Sequence, residues 1–136
     1  MRTWQTRWIT AALFCLAMAG CTTAPQQPTP DQTTPAGAGQ PIGSGKASYY
    51  GGQHHNKLTA SGERFDQHAL TAAHRTLPFG TRIRVTNTRN GKSVVVRVND
   101  RGPFVRNRIV DLSRAAFEAI ANPRVGVIPV RIEKLD

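Results

Sequence analysis

Residues 93–104, SVVVRVNDRGPF, set the tightest limit on what this chain can fold into. Val94, Val95, Val96 and Val98, interrupted only by Arg97, predict one buried strand, because β-branched side chains pack well on a pleated surface. Asn99-Asp100-Arg101-Gly102-Pro103 then stops it: Gly102 lets the backbone turn sharply and Pro103 has no N–H with which to continue a ladder. The strand therefore delivers a carboxylate, Asp100, to the lip of the fold beside the permanently charged Arg101. A turn containing Asp and Gly also has a purely local explanation, and spacing alone does not choose between the two.

Other segments point to the same fold class. Residues 47–50 alternate ahead of Gly51-Gly52, residues 69–73 are a short apolar run, and residues 81–86 alternate as TRIRVT. Asn90-Gly91, inside residues 87–92, predicts a hairpin that pairs residues 81–86 antiparallel with the valine strand. One helix is predicted over residues 112–121, where Ala115, Ala116, Phe117, Ile120 and Ala121 have helical spacing, with Asp111 or Ser113 as its cap and Pro123 as its stop. Residues 125–135 predict a closing strand in which Pro129 requires an edge or a bulge. Many short strands, one helix and no internal repeat predict a mainly β chain closed into a small barrel.

The N-terminal third has a different character. Arg2 and Arg7 precede an uncharged apolar run from Trp8 to Gly20, too short for a comfortable bilayer span but suited to a signal-peptide core. Its end, Leu16-Ala17-Met18-Ala19-Gly20-Cys21, resembles a bacterial lipobox, with Met18 where Leu is more usual. Cys15 lies within the run, so a processed chain keeps only Cys21 and forms no internal disulfide. Cys21 is then the expected lipid attachment point, and several acyl chains hold a protein stably on a membrane. A cleaved, soluble periplasmic protein is the alternative. Thr22, rather than Asp, after the cysteine suggests the outer membrane, with the domain facing the periplasm. Five of the nine prolines fall in residues 22–45 among Thr, Gln, Gly and Ser, a composition that predicts an extended tether. The expected organisation is a signal peptide over 1–20, Cys21 and a linker over 21–45, and one domain with a modest core over 46–136.

The formal net charge is +10, and fourteen of the eighteen basic residues are Arg. Such a balance suits nucleic acid, but an exported chain meets anionic wall polymers and lipid head groups instead. Nucleic acid is therefore not an expected partner. His54 and His55 are adjacent, so in an extended segment they point opposite ways, and no third ligand sits at a convincing spacing. No metal or other cofactor is expected.

Lys46-Ala-Ser-Tyr-Tyr-Gly51, Thr59-Ala-Ser-Gly-Glu-Arg-Phe65, Leu70-Thr-Ala-Ala-His74, Thr76-Leu-Pro-Phe-Gly80, Val98-Asn-Asp-Arg-Gly-Pro-Phe104 and Val110-Asp-Leu-Ser113 occur in that order. As a set they resemble the rare lipoprotein A (RlpA) family of endolytic peptidoglycan transglycosylases, over essentially all of residues 46–136. The resemblance implies a six-stranded double-psi β-barrel with one or two short helices, shared with expansins, barwin-like proteins and some endoglucanases. It also implies cleavage of glycan strands stripped of their peptides. A monomer is expected. A non-catalytic, expansin-like module that binds or loosens the wall is the alternative. Tyr49-Tyr50 stands where the family usually has Trp-Tyr, and residues 53–57 replace a more usual Phe-His-Gly.

Glycosidic cleavage needs a proton for the leaving oxygen and stabilisation of an oxocarbenium-like centre. The resemblance puts Glu63, Asp100 and Asp111 on the groove side. Asp100 is the expected acid, with Asn99 and Arg101 orienting it and the sugar, and Glu63 is the expected second carboxylate. Asp111 matches the acid of related expansins and endoglucanases, and is equally placed to cap the helix. His74 is the expected partner that orients a carboxylate or titrates with it. Tyr49, Tyr50 and Phe104 either stack on sugar rings or belong to the barrel core.

Overall fold

The computed structural model describes residues 39–136. The expected signal segment, Cys21 and the first part of the expected linker lie outside the described residues.

Six strands and one helix follow in the order β1 (Gln40–Tyr49), β2 (Thr71–Ala73), β3 (Arg82–Asn87), β4 (Ser93–Asp100), β5 (Arg108–Leu112), α1 (Arg114–Ile120) and β6 (Ile128–Lys134). Short 3-10 turns occupy Gly52–His54 and Pro123–Val125. The strands close into a barrel in the spatial order β1-β5-β2-β4-β3-β6, so each is paired on both sides. β1 runs parallel to β5 and β2 parallel to β4, and all other pairs are antiparallel. Closure removes the open ladder edges that a sheet this small would otherwise expose.

The valine strand sits where its composition requires. Val94, Val96 and Val98 point inward, while Val95 is half-buried and Arg97 faces out. Ile83 and Val85 from β3, Val110 and Leu112 from β5, and Val130 and Ile132 from β6 meet them in the core. α1 supplies Ala116, Phe117 and Ile120, all fully buried. Each such large side chain taken from water contributes about 1.5–3 kcal/mol, so a single shared core accounts for folding. The turn between β3 and β4 also serves the helix, because the side-chain amides of Asn87 and Asn90 both donate to the carbonyl of Ile120 at its C-terminal end.

The predicted antiparallel hairpin is present, with Thr86 opposite Ser93 and Gly91 at φ 74° in the turn. Four expectations need correction. The linker was expected to run to residue 45, yet β1 begins at Gln40, and Gln40 to Gly45 pair with β6. Polar residues and Pro41 hide this strand in the sequence, because the partner supplies the ladder and a register shift between Pro41 and Gly43 absorbs the proline. β5 was not foreseen, since only Ile109-Val110 carries a strand signal between charged residues. Pro129 lies at neither an edge nor a bulge. It is the second residue of β6, one step before the β3 ladder begins at Val130, and only its carbonyl is used by β3's exit, as acceptor from Thr88 N–H at 3.1 Å. Finally, the helix begins at Arg114 rather than 112, because Leu112 ends β5, and of the two caps the sequence offered Ser113 is the one used.

Ser113 Oγ accepts from Ala116 N–H at 3.3 Å and donates to the carbonyl of Ala69 at 2.5 Å, from a fully buried position. It thus ties α1 to the segment entering β2. Ser113→Ala removes both bonds and a longer one accepted from Thr71 N–H at 3.5 Å, and chemical denaturation should show a loss of about 2 kcal/mol, the upper end for a helix cap.

Candidate active site

The register places four residues in one row across adjacent strands: Asp100 opposite Ala73, Ala73 opposite Asp111, and Asp111 opposite Ser48. With neighbouring strands just under 5 Å apart, the Cα atoms of Asp100 and Asp111 are separated by about 10 Å. Between them the row carries only the methyl of Ala73.

Strict alternation would turn Asp100 into the core, following Val94, Val96 and Val98. The β2–β4 register instead passes from Ala72–Val98 to Ala73–Asp100, leaving Asn99 as an extra residue. A bulge of this kind re-aims the next side chain, and here it carries Asp100 to the outer face. Asn99 itself is buried, and its carbonyl accepts from Ser61 N–H at 3.2 Å. Its side chain also bonds the Glu63 carboxyl, so it supports the strand end and the 59–63 loop from a buried position.

Three donors fix the Asp100 carboxylate. Tyr50 Oη donates to Oδ2 at 2.8 Å, and the backbone N–H groups of Ala60 and Arg101 both donate to Oδ1 at 2.8 Å. Tyr50 follows β1, which β5 and β2 separate from β4, so its ring spans the row. That ring packs against Phe65 at 4.9 Å and His54 at 5.3 Å between centroids. Burial first, then the bond to Asp100, pushes the phenol well above its ordinary range, so it remains a donor.

The loop that supplies Ala60 is fastened by Glu63. Arg97 grips both Glu63 oxygens, at 2.8 and 2.9 Å, and Ser61 Oγ donates to Oε2 at 3.2 Å. The Arg97 bond holds the Glu63 carboxyl below the usual range. Glu63 is thus an ionised, exposed group suited to positioning the loop. Asp111 is also engaged: Ser48 Oγ donates to Oδ1 at 2.7 Å and Arg108 Nη2 to Oδ2 at 2.8 Å, with only 10% of its side chain exposed.

His74 follows β2, and its backbone N–H donates to the Asp100 carbonyl at 3.2 Å. Its Nδ1 accepts from Thr76 N–H at 3.2 Å and Leu77 N–H at 3.1 Å, so the neutral ring carries its proton on Nε2. Burial, then Arg101 and Arg75, push its value below the ordinary imidazole range. The ring bonds backbone amides, not a carboxylate, and keeps one N–H as a donor.

Two further expectations change. Arg101 turns its guanidinium away from Asp100, donating to the carbonyls of Leu77 at 2.8 Å and His74 at 3.4 Å and lying 3.9 Å over the Phe79 ring. Only its backbone N–H serves the acid, because the turn at Gly102 rotates the side chain toward the 74–79 loop. Tyr49 is a core residue: alternation along β1 turns it inward, where its ring meets Phe117 at 4.7 Å and its hydroxyl donates to the Pro123 carbonyl. Phe104, in contrast, is 80% exposed and available to a sugar face. Sequence reasoning missed Arg97, Arg108, Ser48 and the Ala60 N–H. Arg97 was readable as the outward residue of the valine strand, whereas a backbone donor leaves no signal in residue type.

A family model described as "Lytic transglycolase" matches residues 42–132. Similar proteins include the probable endolytic peptidoglycan transglycosylase RlpA of Synechocystis sp., 60% identical over 92 residues that cover 68% of this chain and 29% of that protein. The endolytic peptidoglycan transglycosylase RlpA of Neisseria meningitidis serogroup A is 54% identical over 92 residues, covering 68% of this chain and 38% of its own length. The chain thus spans about a third of the length of these curated relatives. Among solved structures, the Streptomyces papain inhibitor aligns with a TM-score of 0.58 at 26% identity, covering 73% of this chain and 97% of that one. An expansin of Clavibacter michiganensis, crystallised with cellohexaose, aligns at 0.55 and 22% identity over 68% of this chain and 50% of its own, a likeness of fold alone. This chain belongs to the lytic transglycolase family of double-psi β-barrels.

The His74 geometry has a pH consequence. Below about pH 6.5 the unfolded chain takes up a proton that the folded ring refuses, so stability falls with falling pH and levels off below the folded value. His74→Gln should remove this component, seen as a flatter dependence of the denaturation midpoint between about pH 7 and pH 5 than in the wild type.

Proposed function

We propose that this chain is an endolytic lytic transglycosylase that cuts peptidoglycan glycan strands, with Asp100 as its acid–base carboxyl. The observation that carries this reading is the Asp100 carboxyl itself: bulged onto the outer face, held by three donors, and paired with no cation among the described residues. Of the three carboxylates expected at the site, Glu63 and Asp111 are each spoken for by an arginine.

The chemistry follows from the positions of the bonds. Oδ1 already receives two backbone N–H groups, so the exchangeable proton belongs on Oδ2. From there it passes to the bridging oxygen as the C1–O bond of the muramyl unit breaks. The muramyl C6 hydroxyl then attacks its own C1, and its proton returns to Asp100, which ends as it began. The products are a 1,6-anhydromuramyl end and a new free hydroxyl, with no water consumed. Tyr50 stays protonated throughout and holds Oδ2 in place, Glu63 and Arg97 keep the Ala60 loop across the strand end, and exposed Phe104 offers a sugar-stacking face. Strands lacking stem peptides are the proposed substrate. The sequence features of residues 1–21 support a lipid-anchored position at the outer membrane, facing the periplasm.

Peptide-free strands incubated with the wild type should gain anhydromuramyl ends detectable by mass spectrometry. Asp100→Asn should lower that rate by at least about 100-fold, whereas Glu63→Gln, which only loosens the loop, should lower it by about tenfold or less. Strands that are bound by the wild type without any new ends sink the enzyme assignment in favour of an expansin-like binding module.

A further inference from the structure

Next to the row of Asp100, Asp111 and Ser48 the outer face of β1 and β5 opens into a pocket of about 540 Å³, which no step above uses. Lys46, Arg75 and Arg108 line it, with Ser44, Asn107 and Ile109 among its other walls, and no carboxylate does. Arg108 joins it to the candidate site, since the same guanidinium bonds Asp111. Lys46 stands two residues before Ser48 on β1, about 7 Å along the strand.

The three cations are compensated unequally. Arg75 is held rigidly by uncharged acceptors, donating from Nε to the carbonyl of Pro103 and from Nη2 to those of Val105 and Arg108. Its position is fixed while its charge is left over. Lys46 is exposed and forms no ion pair among the described residues. Only Arg108 has an acidic partner. A rigid guanidinium and an exposed ammonium facing one concavity form a site for an anion.

We propose that this pocket binds the free carboxylate of the 3-O-lactyl group on a muramic acid residue of the strand being cut. The proposal rests on the transglycosylase reading and adds its basis for selecting peptide-free strands. A lactyl group joined to a stem peptide is an amide with no charge, and its peptide has to leave through the same space; the bare lactyl group presents one anion. Continuity with the Asp100 row, through Arg108, favours the substrate strand over a lipid phosphate as the source of the anion.

The test measures binding by the full chain carrying Asp100→Asn, so that strands are not consumed. Its ligands are peptide-free strands and the same strands with their lactyl carboxylates converted chemically to carboxamides. The carboxamide strands should bind about tenfold more weakly, as expected for loss of a charge-assisted contact. Lys46→Gln, a surface change that spares the fold, should weaken the free-acid strands by about threefold and leave the carboxamide strands unaffected. Equal binding of the two strands overturns the proposal, as does a Lys46→Gln effect of the same size on both. So does a Lys46→Gln effect confined to adsorption on anionic phosphatidylglycerol vesicles, which would make the pocket a lipid site. Absence of new ends with the wild type overturns the transglycosylase reading alone, because the binding ratio still decides the pocket.

Discussion

One inserted residue in one ladder governs the candidate site. A barrel of six short strands fixes every side chain by alternation, and alternation alone would send Asp100 into an apolar core, where a carboxylate is costly. Asn99 breaks the pattern once, at the end of β4, and buries its own polar body under the 59–63 loop. Everything that holds the acid follows from this placement. The Ala60 and Arg101 amides reach one oxygen, and Tyr50 crosses the barrel to reach the other.

The barrel also explains why carboxylates of the same residue type behave differently. Asp100 and Asp111 lie in one row on the same face, two strands apart, yet β5 brings Arg108 to Asp111, and no described element brings a cation to Asp100. Glu63 has Arg97 only because the valine strand turns every second residue outward. Strand periodicity, applied to arginines, separates the carboxylates that are paired with a guanidinium from the one that neutral donors hold.

The valine strand, the hairpin after it and the helix were legible because each depends on local chemistry: branched side chains, Asn-Gly, and apolar residues at helical spacing. β5 and the start of β1 were not legible, because pairing across the barrel stabilises them and their own composition does not. Asp100, Glu63, His74, Tyr50 and Phe104 were singled out through motif order. Their contacts were not, because the direction of Arg101 and the inward turn of Tyr49 depend on a bulge and on strand parity that no residue type reveals. The Lys46–Arg75–Arg108 pocket escaped for a related reason: its members are far apart in the chain and meet only across β1, β5 and the loop after β2.

The Glu63–Arg97 pair is well formed but open to solvent, and it is the ionic fastening of the loop that delivers the Ala60 amide. Exposed ion pairs are screened by dissolved electrolyte, whereas the Tyr50 hydroxyl and the Arg101 amide are neutral donors that ions barely disturb. The strand end therefore has two insulated holds and one that answers to the surrounding brine, so the ionic strength of the medium outside the barrel sets how firmly the 59–63 loop is pinned.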